Sequence, residues 1–207
     1  MLTLEKAKKI AIQAGEKIKP FCDRINIAGS IRRGKSEVHD IELVCQPKKV
    51  KVGSVDLFGE DTRKEEVHAE FVKTVMSLGK VIKGKPDGRM MQIELHNPFD
   101  GARTIMLDLF MPQPADYYRQ FAIRTGSADY SAKVIAEGWR RKGFVGTSDG
   151  LRMEEQCVGS KDPKTMKVKW RCIVDNPELP PAWQSEEEFF SWLGVQYIPP
   201  AIRYITR

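Results

Sequence analysis

The sequence predicts an α+β fold in two parts. Three observations lead there. Residues 4–19 place apolar side chains at helical spacing, several later runs read as strands bounded by turn signals, and Pro112-Gln113-Pro114 divides the chain. With 207 residues the chain can bury a real core in one or two domains. The expected boundaries are residues 1–113 and 114–207.

Leu4, Ala7, Ala11, Ala14 and Ile18 form the inward stripe of the first helix, and Pro20 stops it. Residues 25–28 read as a short buried strand. A Gly-Ser turn and a basic segment follow, and residues 40–45 alternate as a second strand. Thr62 to Gly79 is expected to be helical. Thr62 and Glu65 have capping-box spacing, Phe71, Val75 and Leu78 supply an apolar stripe, and Gly79 follows the end. Residues 80–83, 90–95 and 103–110 are strand candidates, separated by turns at Lys85-Pro86-Asp87-Gly88 and Asn97-Pro98-Phe99-Asp100-Gly101. Beyond the boundary, Ser127 to Lys142 reads as a helix with Tyr130, Val134 and Trp139 inward. Residues 145–175 read as a loose β-hairpin, and Ser185-Glu186-Glu187-Glu188 caps a short helix through Trp192.

The formal charge of +6 suits a polyanionic partner without requiring one. Cys22, Cys45, Cys157 and Cys172 form no CxxC pair, which argues against a zinc site and for reduced thiols. There is no signal-peptide core and no apolar run that spans a bilayer, so a soluble, intracellular protein with no membrane partner is expected. Pro47-Lys48-Lys49-Val50-Lys51 loosely resembles a nuclear import signal and is read as a solvated basic turn.

The chemistry is concentrated in Gly29-Ser30-Ile31-Arg32-Arg33-Gly34 and in Asp40-Ile41-Glu42. On a strand, Asp40 and Glu42 project from one face. Two carboxylates in one cleft repel unless a cation sits between them, and hard oxygen ligands suit Mg²⁺. Asp108, alone among apolar neighbours in Met106-Leu107-Asp108-Leu109-Phe110, is the natural third ligand. In the turn, glycine lets a phosphate approach the backbone, serine offers a hydroxyl and an amide, and Arg32 and Arg33 can neutralise phosphate charge. A lone Gly-Ser is an ordinary turn. The same pair with Asp-x-Glu eleven positions later is far more specific.

This segment resembles the nucleotidyltransferase signature of the X-family DNA polymerases, the group of DNA polymerase beta. Asp108 falls where the family's third metal ligand would be. Thr125-Gly126-Ser127 matches the turn that opens the nucleotide-facing helix of the family's thumb. The run Trp192-Leu193-Gly194-Val195-Gln196-Tyr197-Ile198-Pro199-Pro200-Ala201-Ile202-Arg203 resembles its C-terminal tail. The length and layout look like the very small viral repair polymerases of this family.

The resemblance implies a nucleotidyltransferase palm, with a mixed sheet and helices on one side, followed by a small α/β thumb. It implies a monomer that binds gapped or primer-template DNA and deoxynucleoside triphosphates. Two Mg²⁺ ions, replaceable by Mn²⁺, would be held by the catalytic residues Asp40, Glu42 and Asp108. Gly29, Ser30 and Arg33 would bind the β and γ phosphates. Arg124, Thr125, Gly126, Ser127 and Tyr130 would face the nucleotide. His39 would meet a phosphate or stand as a strand-edge residue, and Tyr130 would stack near the base or pack in the core. DNA would be gripped by Lys80, Lys83, Lys85 and Arg89 on the palm and by Arg140, Arg141 and Lys142 on the thumb, with Lys164, Lys167, Lys169 and Arg171 as a second strip. Cytoplasm, nucleus and viral factory stay open as locations.

Three departures stand out. Glu42 replaces the family's usual aspartate, Val38-His39 replaces small residues, and Ile123-Arg124 replaces an aromatic pair. The chain starts at the palm, so no deoxyribose-phosphate lyase activity is expected. The leading expectation is a template-directed, gap-filling DNA polymerase. A template-independent or non-DNA nucleotidyltransferase, and a non-catalytic DNA-binding remnant, are the alternatives.

Overall fold

The computed structural model describes residues 1–53, 63–101 and 103–204. The chain opens with β1 (Leu2–Thr3) and α1 (Leu4–Ile18), continues into β2 (Cys22–Ile27), and turns through the short α2 (Gly29–Arg32). β3 (Glu37–Val38) pairs with β1 and leads into β4 (Asp40–Pro47). β5 (Lys49–Val52) and β6 (Lys64–Val67) form a separate antiparallel ribbon. Then come α3 (Ala69–Ser77), β7 (Lys80–Gly84), β8 (Met90–His96) and β9 (Thr104–Phe110).

The fold is α+β. Its main sheet has the order β2-β4-β9-β8-β7 and is mixed: β4 and β9 run parallel, and the other neighbours are antiparallel. Alternation makes the two faces different. Ile41 and Leu43 of β4, Met91 and Ile93 of β8, and Leu107 and Leu109 of β9 are fully buried in one cluster. That cluster includes Ala7, Ala11 and Ile18 of α1 and Phe71 and Val75 of α3, so these helices cover that face. Each such aliphatic side chain contributes about 1.5–3 kcal/mol by leaving water. The opposite face carries Asp40, Glu42, Gln92 and Asp108, all half-buried.

The expected helix from Thr62 begins later than its apparent capping box. Lys64–Val67 is a strand, and His68 caps α3 by accepting from the Glu70 amide. Pairing with the strand β5 outweighs the helical spacing there. Thr62 itself lies outside the described residues.

After the proline segment comes α4 (Tyr117–Thr125), a helix the sequence reading did not anticipate. It buries Arg119, which pairs bidentately with Asp116, so its inward stripe is not purely apolar. Tyr117 and Phe121 cover Val44 and Phe110 on the open face of the main sheet, and the Tyr117 hydroxyl donates to the Val44 carbonyl. The helix expected over 127–142 is present as α5 (Ala128–Tyr130), a π-helical stretch over Ser131–Ala136, and α6 (Glu137–Arg141).

The expected hairpin over 145–175 is a four-stranded sheet. β10 (Phe144–Thr147) and β11 (Gly150–Met153) form one hairpin, and β12 (Cys157–Lys161) and β13 (Val168–Cys172) form another. A parallel contact of Thr147 with Trp170 joins them in the order β11-β10-β13-β12. α7 (Glu186–Leu193) follows, with Ser185 Oγ accepting from the Glu188 amide as the cap pattern requires. A second cluster holds Tyr130, Ile135, Trp139, Phe144, Trp183, Phe189 and Phe190. Among the described residues, no helix is long and apolar enough to cross a membrane.

Candidate active site

Strand register brings the acids together. Glu42 lies directly across from Asp108 on the parallel neighbour, and Asp40 sits two residues earlier on the same face, across from Met106. Two residues on a strand are about 6.6 Å apart. The row continues across the sheet: Asp108 faces Gln92, and Gln92 faces Lys83 on the edge strand. Gln92 Nε2 donates to Asp108 Oδ1 at 2.9 Å.

The turn before α2 lies against Glu42. Gly29 has φ +63, and a Cβ at that position would overlap the Glu42 carboxylate. Only glycine both adopts this conformation freely and leaves room for the acid. Burial and the neighbouring charge of Asp40 push the Glu42 carboxyl up to about 7, with a smaller push from Asp108, while Arg124 and Arg33 pull the other way. Burial lowers the pKa of both guanidinium groups. Glu42 and Asp40 oppose that for Arg33, and Glu42 and Asp108 oppose it for Arg124.

The two consecutive arginines have separate fates. Arg32 is committed to the fold: it donates to both oxygens of Glu186 at 3.0 and 2.8 Å and to Thr125 Oγ1 at 2.7 Å, and it covers the Phe121 ring. It is therefore not the phosphate-neutralising group expected from the turn. Arg33 donates to the Thr125 carbonyl but keeps its Nε buried and unpartnered. Ser30 Oγ and Arg124 Nε are likewise buried without a hydrogen-bond partner. Unsatisfied buried donors are costly, and these three lie on the residues that flank the acidic face.

Arg124 stacks on Phe110 at 4.0 Å from the ring centroid. It lines a cavity of about 410 Å³ with Asp108, Lys83, Arg89 and Gln120. Arg89 reaches across that cavity to Asp149 at 2.6 Å. The Thr125-Gly126-Ser127 turn acts as a joint. Thr125 is fully buried and holds both arginines, Gly126 takes a positive φ, and Ser127 Oγ accepts from the Tyr130 amide.

Other sequence candidates lie elsewhere. Tyr130 is 2% exposed and packs on Phe190 in the second cluster, so its ring is a core element and not a stacking platform. His39 is exposed and lines a separate cavity of about 180 Å³ with Lys6, Asn97, Phe99 and Arg103. Lys85 is exposed in its turn. Arg140, Arg141 and Lys142 are exposed at the end of α6, with the Lys142 ammonium 5.5 Å from the Trp192 ring. Lys169 pairs with Asp162 at 3.4 Å.

Sequence reasoning missed Gln92, Glu186 and the role of Arg203. Arg203 is fully buried, donates to Glu186 Oε1 at 2.7 Å, and lies over Phe190 and Tyr197. Burial alone would push the Glu186 carboxyl up, but the hydrogen bonds and charges of Arg32 and Arg203 hold it below the usual range.

Among the described residues, no three His, Cys, Asp or Glu side chains converge into a ready-made metal cage. Asp40, Glu42 and Asp108 nevertheless supply hard oxygen donors on one face, and a cation there would offset both the burial of the Glu42 carboxylate and its repulsion by Asp40. The donor set therefore fits a divalent ion of the Mg²⁺ kind. Comparison of the sequence with family models and with curated proteins returned no match.

Proposed function

We propose that this chain is a nucleotidyltransferase of the X-family DNA polymerase type, adding deoxynucleotides to a primer 3′ end and filling short gaps in DNA. The observation that carries this reading is the placement of three carboxylates on one sheet face, Glu42 and Asp108 opposed in register, beside the unpartnered donors Ser30 Oγ, Arg33 Nε and Arg124 Nε. Acids alone would serve many metal enzymes. Acids interleaved with buried, unsatisfied cationic donors suit a polyphosphate and its counter-ions.

Asp40, Glu42 and Asp108 would hold the divalent ions, Mg²⁺ or Mn²⁺. Bound there, such ions make a primer hydroxyl more acidic and offset charge on a triphosphate. The protein's own groups do the rest. Gly29 leaves room for the Glu42 carboxylate, and Ser30 and Arg33 would donate to the phosphate oxygens. Arg124, braced on Phe110, adds positive charge on the Asp108 side of the cleft. Lys83 and Arg89 border the same cavity and would meet the DNA backbone.

The test is extension of a labelled primer on gapped duplex with Mg²⁺, offering each deoxynucleotide singly. Extension that follows the template base supports the proposal. Extension with any nucleotide indicates a template-independent transferase. No extension by a folded, DNA-binding protein overturns the polymerase reading.

A further inference from the structure

Gln92 stands beside Asp108 on the neighbouring antiparallel strand, in the row Glu42, Asp108, Gln92, Lys83. Its amide donates to Asp108 Oδ1 at 2.9 Å. We infer that Gln92 is a positioning residue: it fixes the Asp108 carboxylate with one oxygen engaged and the other turned to the cleft. The inference rests on the proposed reading of Asp108 as a cation ligand.

The geometry supports it in two ways. The strand carrying Gln92 is pinned by Met91 and Ile93, both fully buried, so the amide has little freedom to follow a moving carboxylate. The donor is also neutral. A lysine or arginine here would form an ion pair, cancel the charge of Asp108 and compete with a divalent ion. An amide orients the carboxylate and leaves its charge available. In register Gln92 stands between Asp108 and the next side chain of the row, Lys83. Partners that orient a metal ligand in this way typically change metal affinity or activity by roughly 10- to 100-fold when removed.

Gln92→Met tests the inference, because methionine keeps the length and bulk of the side chain and deletes only the donor. Gln92→Ala is the second variant, and Gln92→Lys tests the requirement for neutrality. The primary readout is Mn²⁺ binding without DNA, followed by the electron paramagnetic resonance signal of free Mn²⁺, with Asp108→Asn as reference. Gln92→Met and Gln92→Ala should bind Mn²⁺ at least about tenfold more weakly than wild type, and Gln92→Lys should approach Asp108→Asn. If wild type extends primers, kcat should fall by a similar factor with the nucleotide KM unchanged. Equal Mn²⁺ affinity in wild type and Gln92→Met overturns the inference, as does a wild type that binds no Mn²⁺. Primer extension by wild type judges the proposed function separately, so Mn²⁺ binding that depends on Gln92 in a protein that extends no primer supports the positioning role and sinks only the polymerase reading.

Discussion

Glu42→Gln should remove the pH dependence that Glu42 imposes on the metal-free protein. The carboxyl is pushed up to about 7 by burial and by Asp40, from an ordinary value of 4.5. At about 1.4 kcal/mol for each factor of ten, this difference corresponds to about 3 kcal/mol. The unfolded chain releases the proton first, so between pH 4.5 and 7 the folded state holds more protons. Stability from this group is therefore complete below pH 4.5 and is lost as pH rises to about 7, with little further change above that. Glutamine has nothing to ionise. Urea unfolding of wild type and variant, in chelator at about pH 5 and about pH 8, isolates the effect, because all other titrating groups are shared. The variant should gain about 3 kcal/mol on wild type across that interval. Adding Mg²⁺ at the higher pH should restore wild type and leave the variant unmoved. Parallel stability profiles for the two proteins would refute the electrostatic account of the site.

Three further outcomes are expected. Arg33→Ala should weaken deoxynucleoside triphosphate binding by roughly tenfold or more, the cost of a lost charge-assisted hydrogen bond, and calorimetric titration showing unchanged affinity would remove Arg33 from the phosphate site. Glu186→Gln should lower unfolding stability by about 3 kcal/mol, because Arg32 and Arg203 lose their shared charge, and an unaltered urea midpoint would contradict the buried network. Cys157 and Cys172 are opposed in register, and the bond from the Ile173 amide to the Gln156 carbonyl makes them a non-hydrogen-bonded pair, the closer kind. Oxidised glutathione should convert the two thiols into one disulfide and release two reduced glutathiones, whereas mass spectrometry finding only glutathione adducts would show that the sulfurs do not meet.

Much of the main sheet was legible because its signals are local. Alternation in Asp40–Pro47 and Thr104–Phe110 assigns the core side chains and the acids to opposite faces without knowledge of the partner strands. The start of α3 was misread for a related reason. Thr62 and Glu65 have helical cap spacing, but pairing of Lys64–Val67 with Lys49–Val52 is a non-local choice that no window over residues 62–79 contains. α4 was missed because one inward position is Arg119, charged in the sequence and neutralised only by Asp116 in the fold.

The candidate site divides along the same line. Its acids announce themselves as carboxylates in apolar runs, since an ionised group there needs a reason to exist. The groups that orient them do not. Gln92 matters because β8 lies in one particular register against β9, and a shift of one residue would turn its amide into the core. Arg32 and Arg33 are adjacent and chemically identical, yet one faces Glu186, 154 residues away in sequence, and the other faces Thr125 and the acids. Because Arg32 also holds Thr125 through its hydroxyl, and Arg33 holds the Thr125 carbonyl, the turn beside Glu42 and the joint at the end of α4 are tied through one residue. A change at Glu186 would loosen Arg32, then Thr125, then the grip on Arg33. Glu186 therefore reaches the candidate phosphate site through the fold alone, and spacing along the chain carries no trace of that path.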